Sequence, residues 1–400
     1  MALHRRRGVR QLLLDIHLYL SLGLGGLIVA VALTGAPLVW RDHVDRALNP
    51  SRYAVTGDAA RLPPSLYIAS ALAAAGPDFR AASLRFPEQP GWPLQATMRA
   101  APANGGGARS LVVFLDPPTG VSLGVVGANS SLVGVLHNFH HMLMVPQFGG
   151  RQIVGWIGVA MLLLSLSGLW LWWPRHGGAI AGLGWRRTPW TTGNLHHLFG
   201  FWISIPLAVV SLTGIYLAFP KTAHAFMSSI AGMSEPMRHG GYSAMPLRET
   251  RLDADRALAQ ALTLAPGATP VQIAPPVAQR AEGGAHHNHD AAIWRVRLRQ
   301  SEGGELDVLV DDDSSIARNA PGPLAGDRAA AWIAGIHEGR RGGAAWAIPV
   351  FLTGVLPLVF LITGVTMWLR KRARRRALDA SPDADVDMAA ADDKRAALQS

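Results

Sequence analysis

The stretch HLYLSLGLGGLIVAVALTG, residues 17–35, decides how the rest of the chain is interpreted. It begins with His17, ends with Thr34-Gly35 and contains no Asp, Glu, Lys or Arg. A run of this kind is close to the roughly 20 apolar residues that cross the hydrocarbon core of a bilayer. We therefore predict a membrane-spanning helix with a histidine at one end.

Three further windows are comparably long and apolar, and none contains a charged residue. With the first they predict four transmembrane helices, at Leu18–Trp40, Ile153–Trp173, Leu198–Pro220 and Ala344–Leu369. The first window is too long for a signal peptide and no small-residue cleavage site follows it, so we expect the mature protein to retain it. The composition agrees, because 49% of the residues are hydrophobic and only 16% are charged.

Lys and Arg near the span ends predict the orientation, because short cytoplasmic loops are rich in these residues. With four spans, three basic clusters fall on one side and place both termini in the cytoplasm: Arg5, Arg6, Arg7 and Arg10; Arg175, Arg186 and Arg187; and Arg370, Lys371, Arg372, Arg374, Arg375 and Arg376. The net charge of +10 then follows from membrane topology. We expect membrane lipid, and no nucleic acid, as a partner.

The chain contains no cysteine. This excludes disulfides, iron–sulfur clusters, thiolate-bound zinc and covalently attached c-type haem, all of which need cysteine. Any metal or cofactor must therefore be held by histidine, methionine or carboxylate side chains.

The two halves of the chain repeat the same order of features. His196 precedes Thr213-Gly214 by the same seventeen residues that separate His17 from Thr34-Gly35. Ser167-Gly168 in the second span corresponds in the same way to Thr363-Gly364 in the fourth. We predict an internal parallel duplication of a span–insert–span unit, with the copies related by an axis along the membrane normal.

The two inserts on the outer side each read as a helix followed by short strands. In the first, the helix is Ser65–Ala75, the strands are Ala82–Phe86, Leu94–Arg99 and Leu111–Asp116, and a turn follows at residues 116–120. In the second, the helix is Asp253–Leu264, the strands are Trp294–Arg299 and Leu306–Val310, and the turn is Asp311–Ser315. The predicted fold class is a membrane all-α bundle of four transmembrane helices with two extracytoplasmic α+β inserts.

We divide the chain accordingly. The boundaries are 1–40 for the N-terminus and first span, 41–130 for the first insert, 131–174 for a histidine-bearing segment and the second span, 175–195 for a cytoplasmic loop, 196–220 for the third span, 221–330 for the second insert, 331–370 for a histidine-bearing segment and the fourth span, and 371–400 for a disordered cytoplasmic tail.

Two histidines at the cytoplasmic span ends are the first candidate ligands, because such residues inside a membrane are costly and usually functional. His17 opens the first span and His196 opens the third, at equivalent repeat positions. Two imidazoles that face each other across a helix bundle form an axial pair for one haem iron. Nearby glycines would leave room for the macrocycle: Gly23, Gly25, Gly26 and Gly200. The alternative is that both are ordinary interfacial histidines.

His140 and His337 precede the second and fourth spans on the outer side, and each is followed by a glycine-containing break. On short helices before the spans, they would ligate a second haem near the outer surface. His137, one turn before His140, is a further candidate, and Met144, one turn after it, is a softer one. Extracytoplasmic histidines without function are the alternative, and we interpret the cluster at residues 286–289 as a solvated loop.

An ordered set of motifs over nearly the whole chain resembles the PepSY-associated transmembrane family. The motifs are residues 18–23 with Thr34-Gly35, Phe139-His140-His141-Met142-Leu143, residues 167–174 (SGLWLWWP), Leu195-His196 with Gly200, Ile336-His337-Glu338-Gly339, and Thr363-Gly364 with Trp368. The resemblance implies two PepSY-like modules outside the bacterial inner membrane. The family includes iron-regulated membrane proteins and haem-containing reductases of ferric siderophores, so His17, His196, His140 and His337 carry over as haem-ligand positions.

The resemblance leads us to expect two b-type haems that pass electrons across the inner membrane to a ferric siderophore or another ferric chelate. The basic residues Arg151, Arg340 and Arg341 would attract an anionic chelate or hold haem propionates. The loop between the second and third spans is too short for a nucleotide-binding domain, so a separate electron donor, a quinol or a cytoplasmic reductase, is expected. Two other functions stay open: a non-enzymatic anchor that binds a periplasmic peptidase or peptide, and a siderophore or metal transporter.

Overall fold

A computed structural model of the chain describes residues 8–101, 109–127, 130–173, 188–234, 245–277 and 292–379. The chain divides into two compact units. The helical unit comprises Met1–Val39, His140–Phe219 and Ala334–Ser400, and the α+β unit comprises Trp40–Phe139 and Pro220–Ile333.

The α-helices of the described residues follow the order that the duplication predicts. They are α1 (Val9–Gly35), α2 (Arg41–Leu48), α3 (Pro64–Ala75), α4 (Leu132–Met142), α5 (Gly150–Trp172), α6 (Thr191–Ala218), α7 (Pro220–Ala231), α8 (Ala254–Thr263), α9 (Ala325–His337) and α10 (Gly343–Asp379). The helices α3 and α8 are the two predicted from the inserts. The short helices α4 and α9 carry His140 and His337, as expected.

Four of the described helices are long and apolar enough to cross a membrane. They are Val9–Leu48, which comprises α1, the 3-10 turn and α2, together with Gly150–Trp172, Thr191–Ala218 and Gly343–Ala377. They correspond to the four predicted spans. The regular helix α1 ends at Gly35 instead of Trp40, and a 3-10 turn takes over, because Pro37 disfavours the helical conformation in the residue before it. The helix α10 runs to Asp379, into the tail expected to be disordered, because Arg, Lys, Ala and Leu are strong helix formers.

The four long helices of the helical unit pack as a ring. Each of α1 and α6 packs against both α5 and α10, so α1 and α6 form one diagonal of the bundle. Small residues permit close approach between such helices. A Cβ added at Gly354 of α10 would lie 2.8 Å from the Ala32 carbonyl oxygen of α1, and one added at Gly25 of α1 would lie 2.6 Å from Leu361 of α10. Gly25 therefore serves helix packing, whereas it was expected to leave room for a cofactor.

The strands of the α+β unit form one eight-stranded antiparallel sheet. In chain order they are β1 (Arg80–Arg85), β2 (Leu94–Ala100), β3 (Arg109–Leu115), β4 (Ser122–Gly127), β5 (Thr269–Ala274), β6 (Ile293–Arg299), β7 (Glu305–Asp311) and β8 (Ala317–Asn319). The order across the sheet is β4-β3-β2-β1-β5-β6-β7-β8. The two inserts were expected as two modules, but the antiparallel pairing of β1 with β5 joins them in a single sheet.

The core of this unit lies between the sheet and the helices α3 and α8. The strands alternate buried apolar and more exposed residues, as β2 shows with Leu94, Ala96, Met98 and Ala100 all buried. The sequence did not predict β4, β5 or β8. Glycine in β4, Pro270 in β5 and the shortness of β8 account for this, because each weakens the usual strand pattern.

Equivalent buried carboxylates follow β3 and β7. Asp116 accepts hydrogen bonds from the Thr56 amide at 2.7 Å and from the hydroxyls of Thr56 at 2.7 Å and Thr119 at 2.5 Å. Asp312 accepts hydrogen bonds from the Arg251 and Leu252 amides and from Trp294 Nε1. In both inserts a buried aspartate directly after a strand accepts three hydrogen bonds, and this equivalence supports the internal duplication.

Candidate cofactor-binding site

Each of the four predicted ligand histidines belongs to the helical unit. The Nδ1 atom of each ring forms a hydrogen bond with a different long helix. His17 reaches α5 and His196 reaches α10. His140 reaches α1 and His337 reaches α6. Every ring is therefore fixed against a helix other than its own.

His17 lies against Ser167-Gly168 of α5. Its Nδ1 is 2.9 Å from Ser167 Oγ, and its Cε1 lies 3.3 Å from where a Cβ on Gly168 would be. The Ser167 hydroxyl donates to the Leu163 carbonyl at 2.6 Å. Because its proton is already used, Ser167 Oγ accepts the hydrogen bond from His17 Nδ1–H.

His196 makes the equivalent contact with Thr363-Gly364 of α10. Its Nδ1 is 2.9 Å from Thr363 Oγ1, and the Thr363 hydroxyl donates to the Val359 carbonyl at 2.7 Å. Thr363 Oγ1 therefore accepts from His196 Nδ1–H. Phe360 packs edge-on against the His196 ring, with the ring centroids 5.3 Å apart. We call this end of the bundle, with His17 and His196, the hydroxyl end.

His140 and His337 use backbone carbonyls instead. His140 Nδ1 lies 2.8 Å from the Val31 carbonyl oxygen of α1, and His337 Nδ1 lies 3.0 Å from the Val210 carbonyl oxygen of α6. His337 Nδ1 also lies 3.2 Å from Thr213 Oγ1. A carbonyl oxygen only accepts, so Nδ1 carries the proton in both rings. We call this end of the bundle the carbonyl end.

Two glycines make room for the rings at the carbonyl end. A Cβ on Gly35 would lie 2.5 Å from His140 Cε1, and a Cβ on Gly214 would lie 2.9 Å from His337 Cε1. Any side chain at these two positions would displace the ring. The Thr-Gly pairs Thr34-Gly35 and Thr213-Gly214 thus have a direct structural role in seating the histidines.

The two ends lie far apart along the bundle. Val31 and Val210, whose carbonyls contact His140 and His337, mark the carbonyl end on α1 and α6. Val31 is fourteen positions after His17 in α1, and Val210 is fourteen positions after His196 in α6. At about 1.5 Å rise per residue this corresponds to about 21 Å along the helix. The helical unit therefore presents one pair of histidines at each end.

The rings of His140 and His337 come together at the carbonyl end. Their centroids are 6.2 Å apart and their planes are inclined at 39°. A metal ion held between two imidazoles at about 2.0 Å from each nitrogen separates the ring centroids by roughly 6 Å. The spacing of this pair would therefore suit two imidazoles that hold one metal ion between them.

His17 and His196 lie on α1 and α6, the diagonal pair of helices. Of the nearby glycines, Gly23, Gly26 and Gly200 have no described atom within 4 Å of an added Cβ. Gly23 and Gly26 are exposed, so their open space does not by itself indicate room for a cofactor.

In all four rings the acceptor beside Nδ1 places the proton on that nitrogen, so the four histidines share one tautomer. In a neutral imidazole the other nitrogen then carries a lone pair. Histidines that bind metals usually have this arrangement, because a hydrogen bond from the second ring nitrogen fixes the ring and raises its basicity. The donor set thus consists of Nε2 atoms, two at each end of the bundle.

The remaining predicted site residues have different surroundings. His137 is exposed on α4, one turn before His140. Met144 is also exposed and has a left-handed backbone conformation, with φ 58°. The cluster at 286–289 lies outside the described residues. Among the residues that the structure describes, no group of three or more His, Asp or Glu residues is arranged to hold a metal ion.

The predicted basic residues differ in their surroundings. Arg340 forms an exposed ion pair with Glu338. Arg151, near the start of α5, donates to the Leu217 carbonyl at 2.6 Å, while its Nε is buried without a hydrogen-bond partner among the described residues. Arg341 packs its side chain against Gly335.

Sequence reasoning missed the partners of the histidines, although the signal was present. The hydroxyl–glycine pairs Ser167-Gly168, Thr363-Gly364, Thr34-Gly35 and Thr213-Gly214 were used only as markers of the duplication. Each pair proves to be the place where one histidine ring rests on a neighbouring helix. A pair of a small hydroxyl residue and glycine recurring once per span is the pattern that indicates this role.

Comparison with known proteins agrees with these features. No curated protein matches the chain significantly. The family model described as the PepSY-associated TM region matches residues 14–371, which include all four spans, both inserts and the four paired histidines. The chain therefore belongs to the PepSY-associated transmembrane family.

Proposed function

We propose that this protein binds two b-type haems, one at each end of the helical unit, and conducts electrons across the bacterial inner membrane. The observation that carries the proposal is the pair of histidines at each end, with Nδ1 of every ring hydrogen bonded to a neighbouring helix. Neutral imidazoles with a fixed Nδ1–H are the usual axial ligands of haem iron.

The chain's residues fit this cofactor. His140 and His337, with ring centroids 6.2 Å apart, would hold one iron between them, and Gly200, one turn after His196, has open space where a Cβ would be. When bound, each haem supplies a one-electron ferric/ferrous couple. The protein's part is to hold the imidazoles, to surround them with apolar helices and to keep the two sites about 21 Å apart along the bundle.

The proposed direction is from the hydroxyl end to the carbonyl end. The basic clusters predict that the hydroxyl end faces the cytoplasm and the carbonyl end faces the periplasm. A separate donor, a quinol or a cytoplasmic reductase, gives one electron at a time. Each electron reduces one Fe(III) in a periplasmic chelate such as a ferric siderophore to Fe(II), which the chelate holds more weakly.

The first test is the absorption spectrum of the purified full-length protein, oxidised and dithionite-reduced, with the haem content per chain. We expect b-type bands and two haems. A protein that stays colourless after expression with ample haem would contradict the proposal and favour a non-enzymatic anchor.

Single variants then test the pairing. His17→Ala and His196→Ala should each remove the same haem, and His140→Ala and His337→Ala should each remove the other. His137→Ala is the matched control, because His137 neighbours His140 in sequence but is exposed, and it should keep both haems. Loss of both haems, or of neither, in the four ligand variants would contradict the pairing.

The last test separates a reductase from a transporter. Purified protein, reduced and freed of dithionite, is mixed with a ferric siderophore under anaerobic conditions. We expect the haem bands to return to the oxidised form while an Fe(II)-specific chelator develops its colour. Siderophore uptake into vesicles without any change in the haem spectrum would instead support a transporter.

A further inference from the structure

The two ends of the helical unit support their histidines in chemically different ways. At the hydroxyl end each histidine has a side-chain hydroxyl as an acceptor, Ser167 Oγ for His17 and Thr363 Oγ1 for His196. The backbone of Leu164 offers His17 a second acceptor. At the carbonyl end both histidines donate to backbone carbonyls, those of Val31 and Val210. A side-chain acceptor is removed by a point mutation, whereas a backbone acceptor persists through any substitution.

The orientation of the hydroxyl groups is set by their own helices. Ser167 donates to the Leu163 carbonyl and Thr363 to the Val359 carbonyl, each one turn earlier. Both hydroxyls are therefore held as acceptors, and both residues are buried. A buried hydroxyl whose proton is committed to its own helix forces the facing imidazole to carry its proton on Nδ1.

We infer that Ser167 and Thr363 are positioning residues that set the tautomer, orientation and donor strength of His17 and His196. This inference rests on the proposed haem at the hydroxyl end and extends it to two residues that do not touch the cofactor's iron. Each half of the chain supplies one such residue, at equivalent repeat positions. At the carbonyl end the backbone carbonyls of Val31 and Val210 are acceptors that no substitution removes.

The expected effect has a definite sign. A hydrogen bond from Nδ1–H to an acceptor raises the electron density on Nε2, and a more basic ligand favours ferric iron over ferrous iron. Loss of the acceptor therefore raises the midpoint potential of the haem at that end. It also frees the ring to rotate, which weakens haem retention by roughly tenfold to hundredfold.

The test uses the full-length haem protein with Ser167→Ala, Thr363→Val and the double variant. Potentiometric titration, haem content and the electron paramagnetic resonance signal of each ferric haem are measured. The His17→Ala variant, which keeps only the haem at the carbonyl end, identifies which signal belongs to which end. We expect a higher potential and an altered resonance for the hydroxyl-end haem alone, with Ser167→Thr and Thr363→Ser close to wild type. Thr363→Val should have a larger effect than Ser167→Ala, because the Leu164 backbone still accepts from His17.

Two matched controls separate positioning from general loss of packing. Ser165→Ala and Thr353→Val also remove buried hydroxyls from α5 and α10, but Ser165 and Thr353 bond only to carbonyls of their own helices in the described structure. Both controls should leave the two potentials unchanged.

A third variant tests the difference between the ends. Thr213→Val removes the hydroxyl 3.2 Å from His337 Nδ1 but leaves the Val210 carbonyl at 3.0 Å, so its effect should be much smaller than that of Thr363→Val. Unchanged potentials in Ser167→Ala and Thr363→Val, or equal shifts in the controls, would overturn the inference. A wild-type protein without haem would instead overturn the proposed function on which it rests.

Discussion

At the scale of single residues, two glycines set how closely the histidine rings of the carbonyl end approach their neighbouring helices. Gly35→Ala would place a Cβ 2.5 Å from His140 Cε1 and Gly214→Ala one 2.9 Å from His337 Cε1, whereas Gly364→Ala would leave 3.8 Å to His196 Cε1. Contacts below 3 Å force the ring or the helix to move, at a cost of about 1–3 kcal/mol. We therefore expect Gly35→Ala and Gly214→Ala to lose the haem at the carbonyl end.

Gly364→Ala is the matched control for these two variants, because the added methyl group makes an ordinary contact with its histidine. It should keep both haems, as measured by the haem content of the purified protein. Equal haem loss in all three variants would show that the helices, and not the ring contacts, respond to the added methyl group.

Asp116 provides a prediction for the α+β unit. Burial opposes its ionisation, but hydrogen bonds from Thr119 and Thr56 outweigh burial and hold the pKa of Asp116 below its usual value. Asp116→Ala leaves these donors unsatisfied and should lower the free energy of unfolding by about 1–3 kcal/mol. Because the folded-state pKa is depressed, this contribution is present near neutral pH and is lost as the pH falls through that pKa.

Thermal unfolding of the full-length protein in detergent checks this prediction. The gap in melting temperature between wild type and Asp116→Ala should be constant from pH 7 to pH 5 and should narrow only under more acidic conditions. Asp42→Ala, which removes an exposed carboxylate paired with Arg41, should leave the melting temperature nearly unchanged. A gap that widens on acidification would contradict the assignment.

At the scale of elements, the helices of the two inserts are joined by one carboxylate. Asp255 on α8 accepts from the Ser65 amide at 2.8 Å and from the Ser65 hydroxyl, and so caps the N-terminus of α3. The residue before α3 is Pro63, which offers no side-chain cap. We expect Asp255→Ala to lower the free energy of unfolding by about 1–2 kcal/mol. Asp255→Asn keeps one acceptor and should lose less, and equal loss in both would point to charge instead of capping.

Helices and strands with a strong periodic pattern were predictable from the sequence. The neighbours against which they pair or pack were not. The four spans, α3 and α8 followed from apolar runs and helix signals, and β2 and β6 from alternation. The pairing of β1 with β5 was not predictable, because alternation shows which face of a strand is buried but does not identify its neighbour. The contact of His17 with Ser167 likewise depends on how α1 and α5 are rotated about their axes, which no single span encodes.

At the scale of the whole molecule, each half supports its own histidines but completes no site alone. The hydrogen bonds run within a half: His17 to Ser167 and His140 to Val31 in the first, with the equivalent contacts of His196 and His337 in the second. Each proposed haem, in contrast, takes one histidine from each half. In this arrangement each half orients its own two histidines, and the proposed haem sites form only when the two halves come together.

This separation predicts the behaviour of a chain divided between residues 174 and 188. Co-expressed halves should assemble into a protein with both haems, because each half already orients its own two imidazoles and the helix contacts of α1 with α10 and α5 with α6 remain available. Either half expressed alone, as a monomer, should lack the spectrum of iron bound by two histidines. Size-exclusion chromatography with absorbance at the haem bands distinguishes these outcomes. Two-histidine haem in a monomeric half would contradict the pairing across halves, whereas the same spectrum in a dimer of one half would support it, since a second copy supplies the missing histidine.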